Sequence, residues 1–196
     1  MKKLFIAITI LSLSASVFSQ DNEEKSHKFR RDNIFIGGAI GLGLSGGGFS
    51  AGANPEIGYT ITNWLDAGIS TNFNYNSFSA QYNGGTRQRS FNYGAGMFVR
   101  VFPIRQVFLQ VLPEYNRINT NLRDAYSGQE VTYKQEAPSL LLGIGYASRD
   151  IGRSSFYTVI MFDAGNNVNS PYIGYTGSKL PVLRTGFNFY LRPRRR

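Results

Sequence analysis

From residue 33 onward, the chain alternates between apolar and polar residues along most of its length. In residues 65–75 the odd positions read Leu, Ala, Ile, Thr, Phe, Tyr, and the even positions read Asp, Gly, Ser, Asn, Asn. Residues 183–191 set Leu, Thr, Phe, Phe and Leu against Arg, Gly, Asn and Tyr in the same way. A period of two places successive side chains on opposite faces of a β-strand. The sequence therefore predicts an all-β fold.

The polar face of these strands is built from Gly, Asn, Ser and isolated charges, and rarely from Lys or Glu. Small residues help side chains fit inside a narrow eight-stranded barrel, whereas a solvated outer face gains nothing from them. We therefore expect the apolar face to lie outside, in lipid, and the polar face to line a lumen. Its glycines are Gly37, Gly41, Gly43, Gly58, Gly68, Gly94, Gly96, Gly143, Gly145 and Gly186.

A soluble lipocalin-like barrel is the rival interpretation, because periodicity alone does not tell inside from outside. Charged residues make up only 17% of the chain, too few to solubilise an outer surface. Large aromatic residues also stand near strand ends, where an interfacial girdle would place them; they are Tyr59, Trp64, Tyr75, Tyr115 and Tyr133. These features favour an eight-stranded antiparallel transmembrane β-barrel in the bacterial outer membrane.

The N-terminus is typical of an exported protein. Lys2 and Lys3 precede an apolar stretch at 4–13, which is too short for a spanning helix. We predict a signal peptide over residues 1–19, cleaved after Ser19. Residues 20–32 carry four acidic and four basic residues, and we interpret them as a solvated periplasmic leader. The single histidine, His27, falls in this leader, where we expect no chemical role.

The barrel is predicted over residues 33–191. Connections alternate between tight turns and longer loops rich in Asn, Gly, Ser and Tyr, which is the outer-membrane pattern with both termini periplasmic. An even number of strands closes the sheet, and closure is required because an open edge in lipid leaves unpaired backbone groups. The predicted strands are 33–44, 52–61, 65–76, 89–102, 106–118, 131–147, 155–165 and 179–191, with longer loops at 77–88, 119–130 and 166–178.

The hairpin Pro-Glu-Ile-Gly-Tyr-Thr-Ile-Thr-Asn-Trp-Leu-Asp-Ala-Gly at 55–68 and the closing strand at 186–191 resemble small outer-membrane barrels. These are the OmpA transmembrane domain, OmpX and the porin-family barrel domains. The resemblance covers residues 33–191 and implies the same fold. The last strand is similar to the assembly signal of such proteins, in Gly186, Phe189 and Leu191. Such chains often end on an aromatic residue, whereas this one continues as a basic tail at 192–196 (Arg192, Pro193, Arg194, Arg195, Arg196).

Strand parity points six ionisable side chains into the lumen. Charges in a confined interior must be paired or hydrated, so we expect an ion-pair network that plugs a non-conducting barrel. Inward-facing Phe98, Phe102, Phe108, Leu112 and Leu141 favour the same interpretation. The alternatives are a gated pore or proton path, and a catalytic carboxylate pair. The six residues are Glu56, Asp66, Arg100, Glu114, Asp163 and Arg184.

Two further motifs would indicate a binding function only in a particular structural context. Residues 41–46 match G-x-G-x-x-G, but a dinucleotide site requires a helix to open there, and we expect a strand running into a loop. Residues 80–89 mix Tyr with Arg and are suited to glycan, peptide or lipopolysaccharide phosphate, although an ordinary polar loop is the simpler interpretation.

The net charge of +9 is concentrated in the signal peptide and the tail, which leaves about +3 on residues 33–191 and argues against a nucleic-acid partner. Cysteine is absent, so disulfides and thiolate metal sites are excluded, and no cofactor is expected. We expect as partners outer-membrane lipids and lipopolysaccharide, the barrel-assembly machinery, and another outer-membrane or periplasmic protein.

Three functions compete. The first is a non-enzymatic structural, adhesive or surface-binding barrel of the envelope. The second is an accessory subunit of an outer-membrane assembly or secretion complex. The third, a lipid-modifying enzyme, is poorly supported, because barrel hydrolases need a Ser with a His base at the rim and the single histidine lies in the leader.

Overall fold

A computed structural model describes residues 30–45, 47–172 and 179–191. Two short 3-10 helices flank or interrupt the strands, at Arg31–Asn33 and Ala80–Tyr82. No helix in these ranges is long and apolar enough to cross a membrane. The strands are β1 (Ile34–Ser45), β2 (Gly48–Thr62), β3 (Leu65–Phe78), β4 (Thr86–Ile104), β5 (Val107–Asp124), β6 (Glu130–Ala147), β7 (Ser155–Asp163) and β8 (Val182–Tyr190).

The eight strands form one closed antiparallel barrel in chain order. Each strand pairs with its sequence neighbours, and β8 returns to β1 with Phe35 opposite Tyr190 and Ile40 opposite Thr185. Closure leaves no strand edge within the part of the barrel where all eight strands run side by side. The eight-stranded antiparallel barrel predicted from the alternation is confirmed.

The connections separate the barrel into two ends. The turn end holds the β2–β3, β4–β5 and β6–β7 connections, together with the start of β1 and the end of β8. The loop end holds the other four connections. The G-x-G-x-x-G segment lies in β1 as far as Ser45, with no helix opening there, which rules out the dinucleotide interpretation.

Strands β2, β4 and β5 are longer than predicted, and β2 begins at Gly48 rather than 52. The predicted loop at 119–130 is wrong over most of its length, because β5 continues to Asp124 and β6 begins at Glu130. Likewise β4 begins at Thr86 rather than 89. Polar residues occupy both faces there, so the contrast between lipid face and lumen face that marks a membrane strand fades while the backbone pairing continues.

The outer surface of the barrel is an apolar belt. Its side chains alternate with buried ones along every strand, and their exposed fractions range from 37% to 74%. Such a surface around a polar interior is the architecture of a transmembrane outer-membrane barrel. The belt includes Ile36, Ile40, Ile57, Ile69, Phe73, Met97, Val99, Leu109, Val111, Leu142, Ile144, Ile160, Phe162, Leu183, Phe187 and Phe189.

Aromatic residues border the belt at both ends. Trp64 is half-exposed at the turn end, while Phe91 and Tyr115 are exposed toward the loop end. The assignment of Tyr133 to a lipid-facing girdle is wrong. Tyr133 pairs with Thr120, on the face that points into the lumen lower in the barrel, and it is exposed because it stands beyond the belt.

Lumen-facing glycines make room for aromatic rings. An added Cβ at Gly58 would collide with the ring of Phe35, and one at Gly145 would collide with the ring of Phe108. At Gly68 it would meet the ring of Phe98 at 2.6 Å. The interior of a narrow barrel therefore packs rings against bare backbone, which explains the glycine-rich polar face.

Candidate functional site: a filled lumen beneath an outer sheet

The centre of the lumen is occupied by a buried ion pair between Glu56 of β2 and Arg100 of β4. Arg100 Nη1 and Nη2 donate to Glu56 Oε1 and Oε2 at 2.9 and 2.8 Å. Arg100 Nε donates to Gln110 Oε1 at 2.8 Å, and Tyr157 Oη donates to Glu56 Oε2 at 3.1 Å. The guanidinium also lies 4.4 Å from the centre of the Phe98 ring. The guanidinium is thus held both by acceptors in its plane and by an aromatic ring.

A second pair closes the turn end. Arg149, in the β6–β7 turn, folds back into the barrel and donates from Nη1 and Nη2 to Asp66 at 2.8 and 2.9 Å. Its Nη2 also donates to the backbone oxygen of Thr62 at 3.3 Å. The guanidinium lies over the ring of Phe102 at 3.7 Å from its centre. Arg149 therefore occludes the lumen at the turn end.

A third group lies toward the loop end. Arg184 of β8 donates from Nη2 to Glu114 Oε1 of β5 at 2.9 Å. Tyr172, from the connection between β7 and β8, donates its hydroxyl to Glu114 Oε2 at 2.7 Å and accepts a hydrogen bond from Arg184 at 3.1 Å. Tyr172 therefore reaches into the barrel and caps the ion pair.

Asp163, at the end of β7, is fully buried and has no arginine among its described hydrogen-bond partners. Its Oδ1 accepts from the backbone N–H groups of Leu140 and Gly165 at 3.0 and 2.8 Å. Its Oδ2 accepts from the hydroxyl of Ser170, which also contacts Ser139. Backbone and hydroxyl donors supply the stabilisation that a cation supplies to the other carboxylates.

The structure places all six predicted ionisable residues in the lumen, each less than 7% exposed. It brings Glu56 together with Arg100 and Glu114 together with Arg184, but it pairs Asp66 with Arg149, a residue that the sequence did not single out. Tyr172 and Ser170 were also missed. No strand parity applies to residues in turns and loops, so their return into the lumen left no signal in the sequence pattern.

The arrangement fills the barrel with side chains. Apolar residues pack between the ion pairs in one buried cluster that includes Phe35, Phe98, Phe108, Leu112 and Leu141. No group of three or more His, Asp or Glu side chains that could hold a metal ion occurs in residues 30–45, 47–172 and 179–191. Each described lumen carboxylate is held by donors, which is the geometry of a structural network.

Above this filled lumen, β4, which stays paired with β3 as far as Gln88 opposite Phe78, continues together with β5 and β6 as an extension here named the outer sheet. It comprises residues 86–94, 115–124 and 130–138. Its register is unbroken in both strand pairings, which end with Thr86 opposite Asp124 between β4 and β5 and with Arg123 opposite Glu130 between β5 and β6. Nine residues of strand span roughly 30 Å along the chain. In contrast β7 pairs with β6 only as far as Leu141 opposite Asp163. Within the described residues, the outer half of β6 therefore pairs with β5 alone.

The two faces of the outer sheet differ. Its inner face carries Leu122 opposite Val131, with Tyr133 beside them, and Val131 and Tyr133 are half-exposed. Its outer face carries charges: Arg117 pairs with Glu136 at 2.9 Å and Arg123 with Glu130 at 3.6 Å. The same face bears Arg87, Arg89 and Lys134 without a described ion pair.

The remaining predicted positions divide between described and undescribed parts of the chain. Gly186 and Phe189 lie in β8, facing the lumen and the lipid respectively, and Leu191 follows the strand. The predicted signal peptide, residues 20–29 of the predicted leader and the basic tail at 192–196 lie outside the described residues. In the segment at 80–89, the short helix Ala80–Tyr82 and a turn lead directly into β4.

Comparison with known proteins yields matches among solved structures only. No protein-family model matches the chain, and no curated protein matches it. One similar structure is Neisserial surface protein A (NspA), at 14% identity and a TM-score of 0.44, covering 81% of this chain and 96% of that one. Another is Ail, the attachment invasion locus protein of Yersinia pestis, at 13% identity and a TM-score of 0.48, covering 80% and 95%. At these identities the likeness concerns the fold.

Proposed function

We propose that this protein is a non-enzymatic outer-membrane barrel that presents the outer sheet as a binding surface at the cell exterior. The observation that carries the proposal is the contrast between the two parts of the molecule. The lumen is filled by paired charges and aromatic rings, whereas residues 130–136 of the outer sheet are exposed on both of its faces. A plugged barrel that continues a rigid sheet beyond the membrane is suited to contact rather than transport.

The inner face of the outer sheet provides the contact. Val131 and Tyr133 are exposed by 47% and 51%, and exposed apolar groups rimmed by polar ones mark interaction sites. Tyrosine in particular combines a large apolar ring with a hydrogen-bonding hydroxyl and is enriched at interfaces. A partner on a neighbouring surface would bury this pair.

The outer face of the same sheet is suited to contact lipopolysaccharide headgroups. Arg87, Arg89 and Lys134 stand just beyond the exposed rings of Phe91 and Tyr115. Arginine forms bidentate bonds with phosphate, and an aromatic border below it matches the lipid interface. Lipopolysaccharide phosphates are thus the proposed lipid partner, and the barrel-assembly machinery, through Gly186, Phe189 and Leu191, is the proposed partner in insertion.

Surface display tests the adhesive role. The wild-type protein, expressed in a non-adherent bacterium with its own barrels deleted, should increase the number of cells retained on surfaces coated with extracellular-matrix protein. Tyr133→Glu should remove most of that gain, because it places a charge on the inner face. Thr132→Glu, one residue away on the outer face, is the matched control and should retain the gain. Equal retention by all strains, with equal surface levels, would refute the adhesive role.

The accessory-subunit role remains the second candidate, supported by the basic tail, which would lie on the turn-end side of the membrane. Extraction in mild detergent distinguishes it: a stoichiometric outer-membrane or periplasmic partner that is lost when residues 193–196 are removed would favour this role. Lipid profiles of a deletion strain should remain unchanged, since residues 30–45, 47–172 and 179–191 contain no histidine to act as a base for hydrolysis.

A further inference from the structure

A cavity of about 430 Å³ opens at the loop end of the barrel, above the pair between Glu114 and Arg184. Strands β1 to β4 form one wall, and residues 171–172 and 180–184 form the other. Volumes of this order are typical of small-molecule sites. The cavity shares only Asn92 with the outer sheet, and neither Val131 nor Tyr133 lines it, so a ligand bound in it is independent of the proposed adhesive contact.

The strand wall is lined by amides. Asn54, Asn74, Asn76 and Asn92 face inward on β2, β3 and β4, with Asn74 opposite Asn92 across the β3–β4 pairing. Gly52 allows this arrangement, because the amide oxygen of Asn74 occupies the space that a Cβ at that position would take. Four amides thus stand side by side without an ionisable group among them.

Two of these amides are incompletely satisfied. Asn54 and Asn92 are only 6% and 3% exposed, yet their Oδ1 atoms accept no hydrogen bond from the described residues. Leaving a buried acceptor without a hydrogen bond costs on the order of 1–3 kcal/mol. A bound ligand that donates to these amide oxygens would remove that cost. An asparagine amide offers two donors and an acceptor, and both residues line the cavity.

The opposite wall is apolar. Pro171, Leu180, Pro181 and Val182 line it, together with the ring of Tyr172, whose hydroxyl is already engaged with Glu114. The one charged residue in the described lining, Arg184, is paired with the same carboxylate. The cavity therefore has a neutral wall of donors and acceptors facing an apolar wall.

We propose that this cavity binds a neutral saccharide unit. A pyranose ring carries hydroxyl groups around its edge, each both donor and acceptor, and C–H groups on its faces. The edge matches the asparagine wall, and a face matches the proline, leucine and tyrosine wall. Charged sugars are disfavoured, since no unpaired cation or anion occurs in the described lining to compensate for desolvation.

Saturation-transfer NMR on the full-length mature protein in detergent tests the proposal. The probes are methyl α-glucoside, methyl β-galactoside and N-acetylglucosamine, with sialyllactose as the charged comparison and lipid-free core oligosaccharide as the envelope-derived source. We expect transfer to at least one neutral probe and none to the sialic acid ring. Signal from core oligosaccharide alone assigns the ligand to the cell's own envelope, and signal from the free glycosides assigns it to external glycan. Absence of transfer to every probe overturns the proposal and leaves a water-filled cavity.

Two pairs of variants make the assignment specific. Asn92→Ala should weaken the binding of the best probe about five- to tenfold, the effect of losing one hydrogen bond, and Asn119→Ala, on the outer face opposite Phe91, should not. Gly41→Phe should abolish binding by filling the cavity, since an added Cβ there meets nothing within 4 Å. Its control, Ile36→Phe, adds a ring to the lipid face away from the cavity lining.

Heat-modifiable migration on gels verifies that each variant remains folded. Wild-type affinity in a folded Gly41→Phe variant contradicts the site, whatever the asparagine variant shows.

Discussion

Arg100 on β4 and Glu56 on β2 face each other across the lumen in a two-pronged ion pair, with donor–acceptor distances of 2.9 and 2.8 Å. The strands that carry them are not neighbours, because β3 lies between them in the sheet. The pair therefore ties the barrel wall through its interior. Like the pair between Arg149 and Asp66, it is supported by an aromatic ring beneath the guanidinium.

Breaking that central pair should be costly. Glu56→Leu leaves the Arg100 guanidinium buried without its carboxylate, and we expect a loss of about 3–5 kcal/mol in the free energy of unfolding. Replacing both residues with leucine should recover part of the loss, because the double variant buries no unpaired charge. Urea titration in liposomes or detergent measures both. Glu130→Ala, which breaks the exposed pair with Arg123, is the control and should change stability by less than about 1 kcal/mol.

The apolar belt predicts a depth-dependent penalty for charge. Met97 is 66% exposed and lies midway along β4 between Val101 and Tyr93. Met97→Arg should destabilise the inserted barrel by about 2–4 kcal/mol, as expected near the midplane. Asn121→Arg, on the outer face of the outer sheet, should have almost no effect. If the two variants unfold at the same urea concentration, the belt has been placed on the wrong part of the barrel.

The filled lumen predicts that the barrel is a poor channel. Arg149 blocks one mouth, Tyr172 caps the other ion pair, and aromatic rings occupy the space between. Purified protein in planar bilayers should show little or no steady conductance at moderate voltage. Long-lived, uniform conductance steps from pure protein would favour the pore interpretation and contradict the plug.

Asp124, at the tip of the outer sheet and beyond the membrane, should titrate at unusually low pH. Hydrogen bonds from the backbone N–H and the hydroxyl of Ser127, and then from the N–H of Tyr126, hold the pKa of this exposed carboxyl below its ordinary value. At pH values above the ordinary aspartate pKa, these hydrogen bonds to the ionised carboxylate therefore stabilise the turn. That stabilisation is lost as the pH falls through the lowered pKa.

Carboxyl-carbon NMR shifts of Asp124 measure this pKa directly. Ser127→Ala should raise it toward the ordinary value by removing the hydroxyl donor while keeping the backbone N–H. An unchanged midpoint in that variant would mean that the hydroxyl contributes nothing.

The basic tail should serve contact and not the fold. Four arginines do not enter hydrocarbon, since one near the midplane costs several kcal/mol, and Pro193 stops further strand pairing. A chain ending at Arg192 should still insert and show heat-modifiable migration, but should bind anionic vesicles or a partner more weakly. A truncated chain that fails to insert would instead assign the tail to the proposed assembly signal at Gly186, Phe189 and Leu191.

Much of the lumen could be predicted from strand parity. Glu56, Asp66, Glu114 and Arg184 each have a Gly or an Asn two residues further along the strand, and a period of two points all of these positions to one face. The glycines of the same face indicated crowding, which the rings of Phe35 and Phe108 on Gly58 and Gly145 now explain. At 119–130 polar residues occupy both faces of the strands, and the strand ends predicted there were wrong.

The strands, their number and the face that meets lipid all followed from the alternation. In a membrane, an alternating chain can enclose its polar side chains and pair all of its backbone groups only by closing into a barrel. Which charge meets which became clear only in three dimensions. Arg149 reaches Asp66 from a turn and Tyr172 reaches Glu114 from a loop, where no periodicity constrains a side chain. The same holds for the asparagine cavity, since its two walls come from segments far apart in the chain and meet only when β8 closes on β1.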